Sequence, residues 1–121
     1  MQFNVSFQRA VFKTNIDGLD FIPIRHLTFI DELRLGKISS NETLFRNILR
    51  PEAFSYDYVI LDCPPYLTGT TNLALIAADS VLIPAMPGKF SIDAVKKIVE
   101  HISTVHKIYN PELKIEGILL T

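Results

Sequence analysis

Apolar residues recur every three or four positions from Ile92 to Ile108, through Val95, Ile98, Val99, Ile102 and Val105. That spacing lays one apolar stripe along a long helix. Lys96, Lys97, Glu100 and Lys107 fall off the stripe. Ser91 offers an N-cap oxygen, and Asn110-Pro111 closes the element. Either side of this helix the period changes. Ser80 to Pro84 is a continuous apolar run, the pattern of a strand buried on both faces. Leu113 to Leu120 reads as a last strand, alternating through Ile115 and then running through Ile118. Further upstream, Tyr58 to Leu61 is a β-rich run that ends on one carboxylate, Asp62, and Pro64-Pro65 stops it because proline cannot donate to a ladder. Thr70 or Thr71 can cap a short helix over Asn72–Ala78.

The first half is patterned more weakly. Phe3, Val5 and Phe7 alternate within a poorly patterned segment, residues 1–17. Gly18 to Ile24 reads as a strand ending at or near Pro23. Leu27 to Leu35 is a short helix stopped by Gly36. Ser39, Ser40 and Asn41 offer caps for a helix with Leu44, Phe45, Ile48 and Leu49 on one face, and Pro51 is expected to end it.

Strand, helix, strand, helix, strand over residues 58–120 predicts parallel β–α–β units with right-handed crossovers, an α/β fold with a mostly parallel sheet and flanking helices. With 121 residues, 48% of them hydrophobic, the chain has room for one domain with a real core, spanning residues 1–121. Net charge is −1 and the 12 Lys and Arg are scattered, which argues against strong electrostatic DNA binding by this chain alone. The single cysteine, Cys63, excludes an intrachain disulfide and fits a reducing compartment. No apolar run approaches roughly 18 residues, and the N-terminus lacks the charged and apolar regions of a signal peptide. A cytoplasmic protein with no membrane partner is therefore expected.

The chemistry centres on Asp62. A strand that delivers one carboxylate to its C-terminal end has the layout of a Walker B strand, where nucleotide-bound Mg²⁺ is held. The matching phosphate loop, G-x-x-x-x-G-K followed by Ser or Thr, does not occur in these residues. Gly36-Lys37 and Gly88-Lys89 are followed by Ile38 and Phe90, and Asp31 and Ile83 stand where the first glycine belongs. No catalytic residue is assigned. Cys63 has no CxxC partner and reads as a small packed residue. His26, His101 and His106 lack metal-ligand spacing and read as surface or boundary histidines.

Three blocks, Tyr56–Pro65, Asn72–Pro84 and Asn110–Thr121, together with the strand Gly18–Pro23, resemble the ParA/Soj partition ATPases, which belong with the MinD-like P-loop ATPases. The resemblance covers roughly Val11 to Thr121. It implies a partial P-loop NTPase-type fold, with ATP and Mg²⁺ as the family's cofactors. It implies that Asp62 holds Mg²⁺ through water and that Cys63, Pro64, Pro65 and Gly69 belong to a switch segment that senses the γ-phosphate. It also implies a ParB-like adaptor and non-specific DNA as partners, a homodimer or a full-length paralogue as the assembly, and location on the nucleoid.

Two features of the family pattern fall outside this sequence: the Lys-Gly-Gly-x-Gly-Lys-Thr loop and the basic C-terminal DNA-binding helices. The chain therefore reads as the middle of a ParA-like protein that does not hydrolyse ATP unaided. The missing first strand should lie beside the Walker B strand, so an unpaired apolar strand edge is expected to invite self-association or a partner. Two alternatives stand beside partition. One is a non-catalytic module that docks on a full-length ParA-like subunit. The other is a relative of MinD or of the bacterial tyrosine kinases.

Overall fold

The computed structural model describes residues 7–23, 28–38, 40–64, 67, 69–88 and 92–121. The chain divides into two compact units, Met1–Arg34 and Leu35–Thr121. The first holds a short helix, α1 (Phe7–Ala10), and an antiparallel ribbon of β1 (Phe12–Lys13) with β2 (Asp20–Phe21). Phe12 stands opposite Phe21 with ring centroids 6.3 Å apart, and Lys13 reaches Asp20 at 2.7 Å. The turn between the strands is closed by Thr14, whose hydroxyl donates to Leu19 O at 2.7 Å. The strand expected over Gly18–Ile24 is therefore cut to Asp20–Phe21 and paired with a partner that the sequence pattern did not indicate. Phe3, Val5, Ile24, His26 and Leu27 lie outside the described residues.

Helix α2 (Phe29–Ile38) crosses the boundary between the units. Thr28 and Asp31 cap its start reciprocally. The Thr28 N–H and hydroxyl donate to Asp31 Oδ2 at 3.0 and 2.6 Å, and the Asp31 N–H donates to Thr28 Oγ1 at 3.3 Å. The hydroxyl and N–H of Thr28 hold the Asp31 carboxyl below its ordinary pKa. Gly36, expected to stop this helix, lies inside it. Ser40, expected to cap the next helix, instead donates its hydroxyl to Lys37 O at 2.5 Å and finishes α2. Ser39 lies outside the described residues.

The second unit carries the core. Helix α3 (Leu44–Ala53) starts at Thr43 with no side-chain cap, and Pro51 sits inside its last turn rather than ending it. Proline there forfeits only its own N–H bond, to Asn47 O, so two further residues still fit. Helix α4 (Thr70–Ala77) packs on α3 and on α5 (Ile92–Ile108). Strands β3 (Ser80–Ala85) and β4 (Lys114–Leu120) pair in parallel, from Ser80↔Lys114 to Ala85↔Leu120, with an irregularity between Val81 and Leu82 where Glu116 is skipped. β3, α5 and β4 thus form the expected parallel β–α–β unit.

Leu75, Ile76, Ile83, Ile102, Val105 and Leu113 form the core cluster, with Val81, Ile98 and Tyr109 packed against it. The α5 stripe is core only in its middle, since Ile92 and Ile108 are exposed. Ser91, expected to cap it, lies outside the described residues.

Two strand expectations are corrected. β3 is not buried on both faces. Ile83 and Ala85 are buried while Leu82 and Pro84 are exposed, because the described helices cover one face only. Tyr58–Asp62 is not a strand. Residues 58–64 carry no ladder bonds, and Tyr58 and Ile60 are 88% and 90% exposed. A β-rich run becomes a strand only beside a neighbour that takes its backbone groups, and none of the described strands lies against this one.

Replacing core Ile102 by Ala is expected to destabilise the chain by about 2–5 kcal/mol, whereas Ile92→Ala on the same stripe costs under about 0.5 kcal/mol. Urea denaturation of the two variants checks this, and equal losses would place the helix differently.

Candidate functional site

The segment that carries the predicted site begins where α3 ends. Tyr56 N–H donates to Ala53 O at 3.0 Å and Ser55 Oγ donates to Glu52 O at 3.1 Å, which turns the chain out of the helix. From there to Pro64 the backbone is irregular, and Asp62, Cys63 and Pro64 are all exposed. The Cys63 thiol lies 3.5 Å from Leu61 O. Partial desolvation pushes the Cys63 pKa up, and the neighbouring Asp62 charge pushes it further. Cys63 is thus exposed rather than packed as the sequence reading had it, and it is a poor nucleophile. Pro65 lies outside the described residues.

Gly69 closes the segment and opens α4. It stands at φ 53°, ψ −114°, a conformation only glycine takes without strain. Its carbonyl accepts the first helical bond, from Leu73 N–H at 3.3 Å, and no side chain caps this end. Thr71, the second residue of α4, is buried, and its hydroxyl has no hydrogen-bond partner among the described residues. No hydrogen bond or ion pair joins Asp62 to Pro64 or Gly69 among the described residues. What unites the predicted residues is their order between α3 and α4.

The donor set sets the chemical scope. Among the described residues no three His, Cys, Asp or Glu side chains come together as a metal site. One exposed carboxylate holds Mg²⁺ poorly, since Mg²⁺ dehydrates reluctantly and shares its shell with substrate phosphates. Among the described residues no phosphate cradle stands beside it. The residues present therefore do not fit ATP–Mg²⁺ by themselves, although Asp62 suits one water-mediated position of such a site.

A second feature escaped the sequence reading. A cavity of about 340 Å³ lies between α4, α5 and the link from α2 to α3. His101 Nε2 sits 2.6 Å from Asn72 Oδ1, bolting α5 to α4 across one wall. The Tyr109 hydroxyl donates to Glu42 Oε1 at 2.7 Å across another, and that carboxylate holds the phenol above its ordinary pKa. His101 is a boundary residue as expected. Its partner stands 29 positions away and Tyr109's stands 67 away, separations that no local pattern reports. His106 makes a 2.8 Å contact with Leu113 O through Nδ1.

A parallel β–α–β unit with helices packed on one face defines an α/β protein. Residues 2–115 match the family model described as an AAA domain. The chain belongs to the ParA/Soj-type P-loop ATPase family. It is 39% identical over 114 residues to the chromosome partitioning protein ParA of Myxococcus xanthus, covering 94% of this chain and 40% of that protein. It is 35% identical over 108 residues to the sporulation initiation inhibitor protein Soj of Bacillus subtilis, covering 89% and 43%. Among solved structures it is similar to cobyrinic acid a,c-diamide synthase from Mycobacterium smegmatis with a bound ATP analog and magnesium. The TM-score is 0.82 at 29% identity, over 96% of this chain and 46% of that one. The chain thus spans about 40% of the length of the curated relatives it matches. No helix among the described residues is long and apolar enough to cross a membrane.

Because the Asp62 charge helps raise the Cys63 pKa, Asp62→Asn is expected to lower it and to speed alkylation of Cys63 by iodoacetamide at a fixed, mildly alkaline pH. The inflection of the pH–rate curve should move down. An unmoved inflection would mean that the Asp62 charge does not act on the Cys63 thiol.

Proposed function

We propose that the chain serves ATP-driven partition of plasmid or chromosomal DNA, as part of a ParA/Soj-type ATPase. The observation that carries this reading is the 39% identity to a chromosome partitioning protein along 94% of the chain. In this reading Asp62 takes the metal side of the nucleotide site and orients water on Mg²⁺. Cys63 to Gly69 is the switch segment, and Gly69 is the joint on which it meets α4. The phosphate-binding lysine comes from sequence other than these 121 residues. ATP and Mg²⁺ are the cofactors of the completed site, in keeping with the ATP analog and magnesium in the similar synthase. A ParB-like adaptor and non-specific DNA are the partners, a homodimer or full-length paralogue is the assembly, and the nucleoid within the cytoplasm is the place of action. The whole of residues 1–121 then acts as one partial ATPase domain.

A second reading is favoured by the exposed apolar residues Tyr58, Ile60, Leu82 and Ile118. These suit a non-catalytic module that docks on a full-length ParA-like subunit and uses no nucleotide of its own.

Two measurements separate the readings. Isothermal titration of the chain with Mg²⁺–ATP is expected to show nothing tighter than about millimolar, because the phosphate cradle is absent. A chimera in which these residues replace the matching part of the Myxococcus xanthus relative is expected to hydrolyse ATP. In that chimera Asp62→Asn is expected to lower the rate by about 10–100-fold, the usual cost of losing a residue that orients a metal's water shell. A folded chimera whose ATPase ignores Asp62→Asn would remove the Walker B role and leave the docking module.

A further inference from the structure

The cavity between α4, α5 and the α2–α3 link has a chemical bias that nothing in the partition reading uses. Its volume, about 340 Å³, falls in the range of roughly 300–1,000 Å³ typical of small-molecule sites. Leu73, Ile76 and Val105, all buried, give it an apolar floor that suits a hydrocarbon body.

The polar wall is rich in acceptors. Ser40 donates its hydroxyl proton to Lys37 O, and Thr104 donates its own to Glu100 O at 3.0 Å, so each is left with lone pairs and no proton to offer. Tyr109 spends its proton on Glu42 Oε1, which leaves Oε2 without a partner among the described residues. His101 Nε2 and Asn72 Oδ1 are 2.6 Å apart and engage each other. Among the described lining residues the Asn72 amide carries the remaining side-chain N–H donors. Among the described lining residues Glu42 is the formal charge, and none is Lys or Arg. A phosphate or carboxylate ligand would meet a like charge and too few donors. An ammonium group brings three donors and the opposite charge to a wall that lacks both.

We propose that this cavity binds a small organic cation, a primary amine with an apolar aryl or alkyl body, with its ammonium group on Glu42 Oε2 and the hydroxyl oxygens of Ser40 and Thr104. The body lies on Leu73, Ile76 and Val105. The site shares Gly69 with the end of the Asp62 segment but draws its polar groups from other residues, and it takes a cation where that segment would serve an anion and its metal. It stands independently of the partition reading.

The test uses 2-phenylethylamine as probe on the full polypeptide at neutral pH, followed by NMR chemical shifts. Saturable shifts are expected on Glu42, Asn72, His101 and Tyr109. Phenylacetate, of similar shape and opposite charge, is expected to bind at least about tenfold more weakly, the effect of exchanging a charge-assisted hydrogen bond for a repulsion. Glu42→Gln, an exposed change that keeps the side-chain shape, is expected to weaken the amine by about tenfold or more. Glu116→Gln, on a carboxylate outside the cavity, is expected to leave it unchanged. Equal binding of amine and carboxylate, undiminished amine affinity in Glu42→Gln, shifts centred elsewhere, or failure to saturate would each overturn the proposal. Neither nucleotide nor DNA enters the experiment, so its outcome and that of the partition reading are decided separately.

Discussion

Everything in the larger unit hangs on one fully buried side chain, Asn110. Its amide donates to Leu75 O at 3.0 Å and to Ala78 O at 2.7 Å, which satisfies carbonyls left open at the end of α4. Its own N–H donates to Val105 O at 2.9 Å and ends α5, and its carbonyl accepts from Leu113 N–H at 3.1 Å, which starts the turn into β4. One residue therefore closes two helices and launches a strand. A buried polar side chain is tolerated there because removing it would strand two carbonyls, Leu75 O and Ala78 O, each at about 1–3 kcal/mol. The β3–β4 register follows. With α5 stopped at Ile108 and Leu113 buried under it, β4 can meet β3 only with Lys114 opposite Ser80.

The same geometry explains why the sheet is one-sided. α4 and α5 lie on the face that buries Ile83 and Ala85, and Leu82 and Pro84 point the other way into solvent. Parallel strands are stable when both faces are covered. Leu82 and Leu119, which the register places on the open face, and the exposed Tyr58 and Ile60 on the segment before α4, are therefore surface that favours a cover. The irregular course of residues 58–64 has the same origin. A run such as Val59-Ile60-Leu61 has strong β character, but no described strand lies beside it to complete a ladder.

How much was legible in the sequence follows from this split. The elements that bury their own patterns were readable: the apolar stripe from Ile92 to Ile108, the strands at Ser80 and Lys114, and the stop at Asn110-Pro111 all stand where periodicity placed them, within a residue or two. So was the order of blocks that marks the family. The misplacements fall where a neighbour decides. Tyr58–Asp62 has the composition of a strand and no partner; Pro51 and Gly36 are breakers by propensity, yet helical bonds around them hold; Ser40 turned its hydroxyl back to α2 instead of forward to α3. The Asp62 segment was legible because it is contiguous in sequence. The cavity was not, because Glu42 and Tyr109, or Asn72 and His101, meet only after α3, α4 and α5 have packed.

Helix α4 joins these observations into one mechanical statement. Its body is core, with Leu73 to Ala77 all buried, so it cannot slide without opening apolar surface at about 25 cal/mol per Å². Its C-terminal end is tied by Asn110 and its flank by the Asn72–His101 contact. Its N-terminal end has neither a side-chain cap nor a partner for Thr71, and it begins at a glycine in a conformation other residues resist. A displacement at the start of α4 would therefore be absorbed at Gly69, not transmitted as a shift of the whole helix. A ligand in the neighbouring cavity touches that joint, since Gly69 lines it together with Asn72 and His101. Gly69 lines the cavity and opens α4, so a cation bound there would bear on the N-terminal end of that helix.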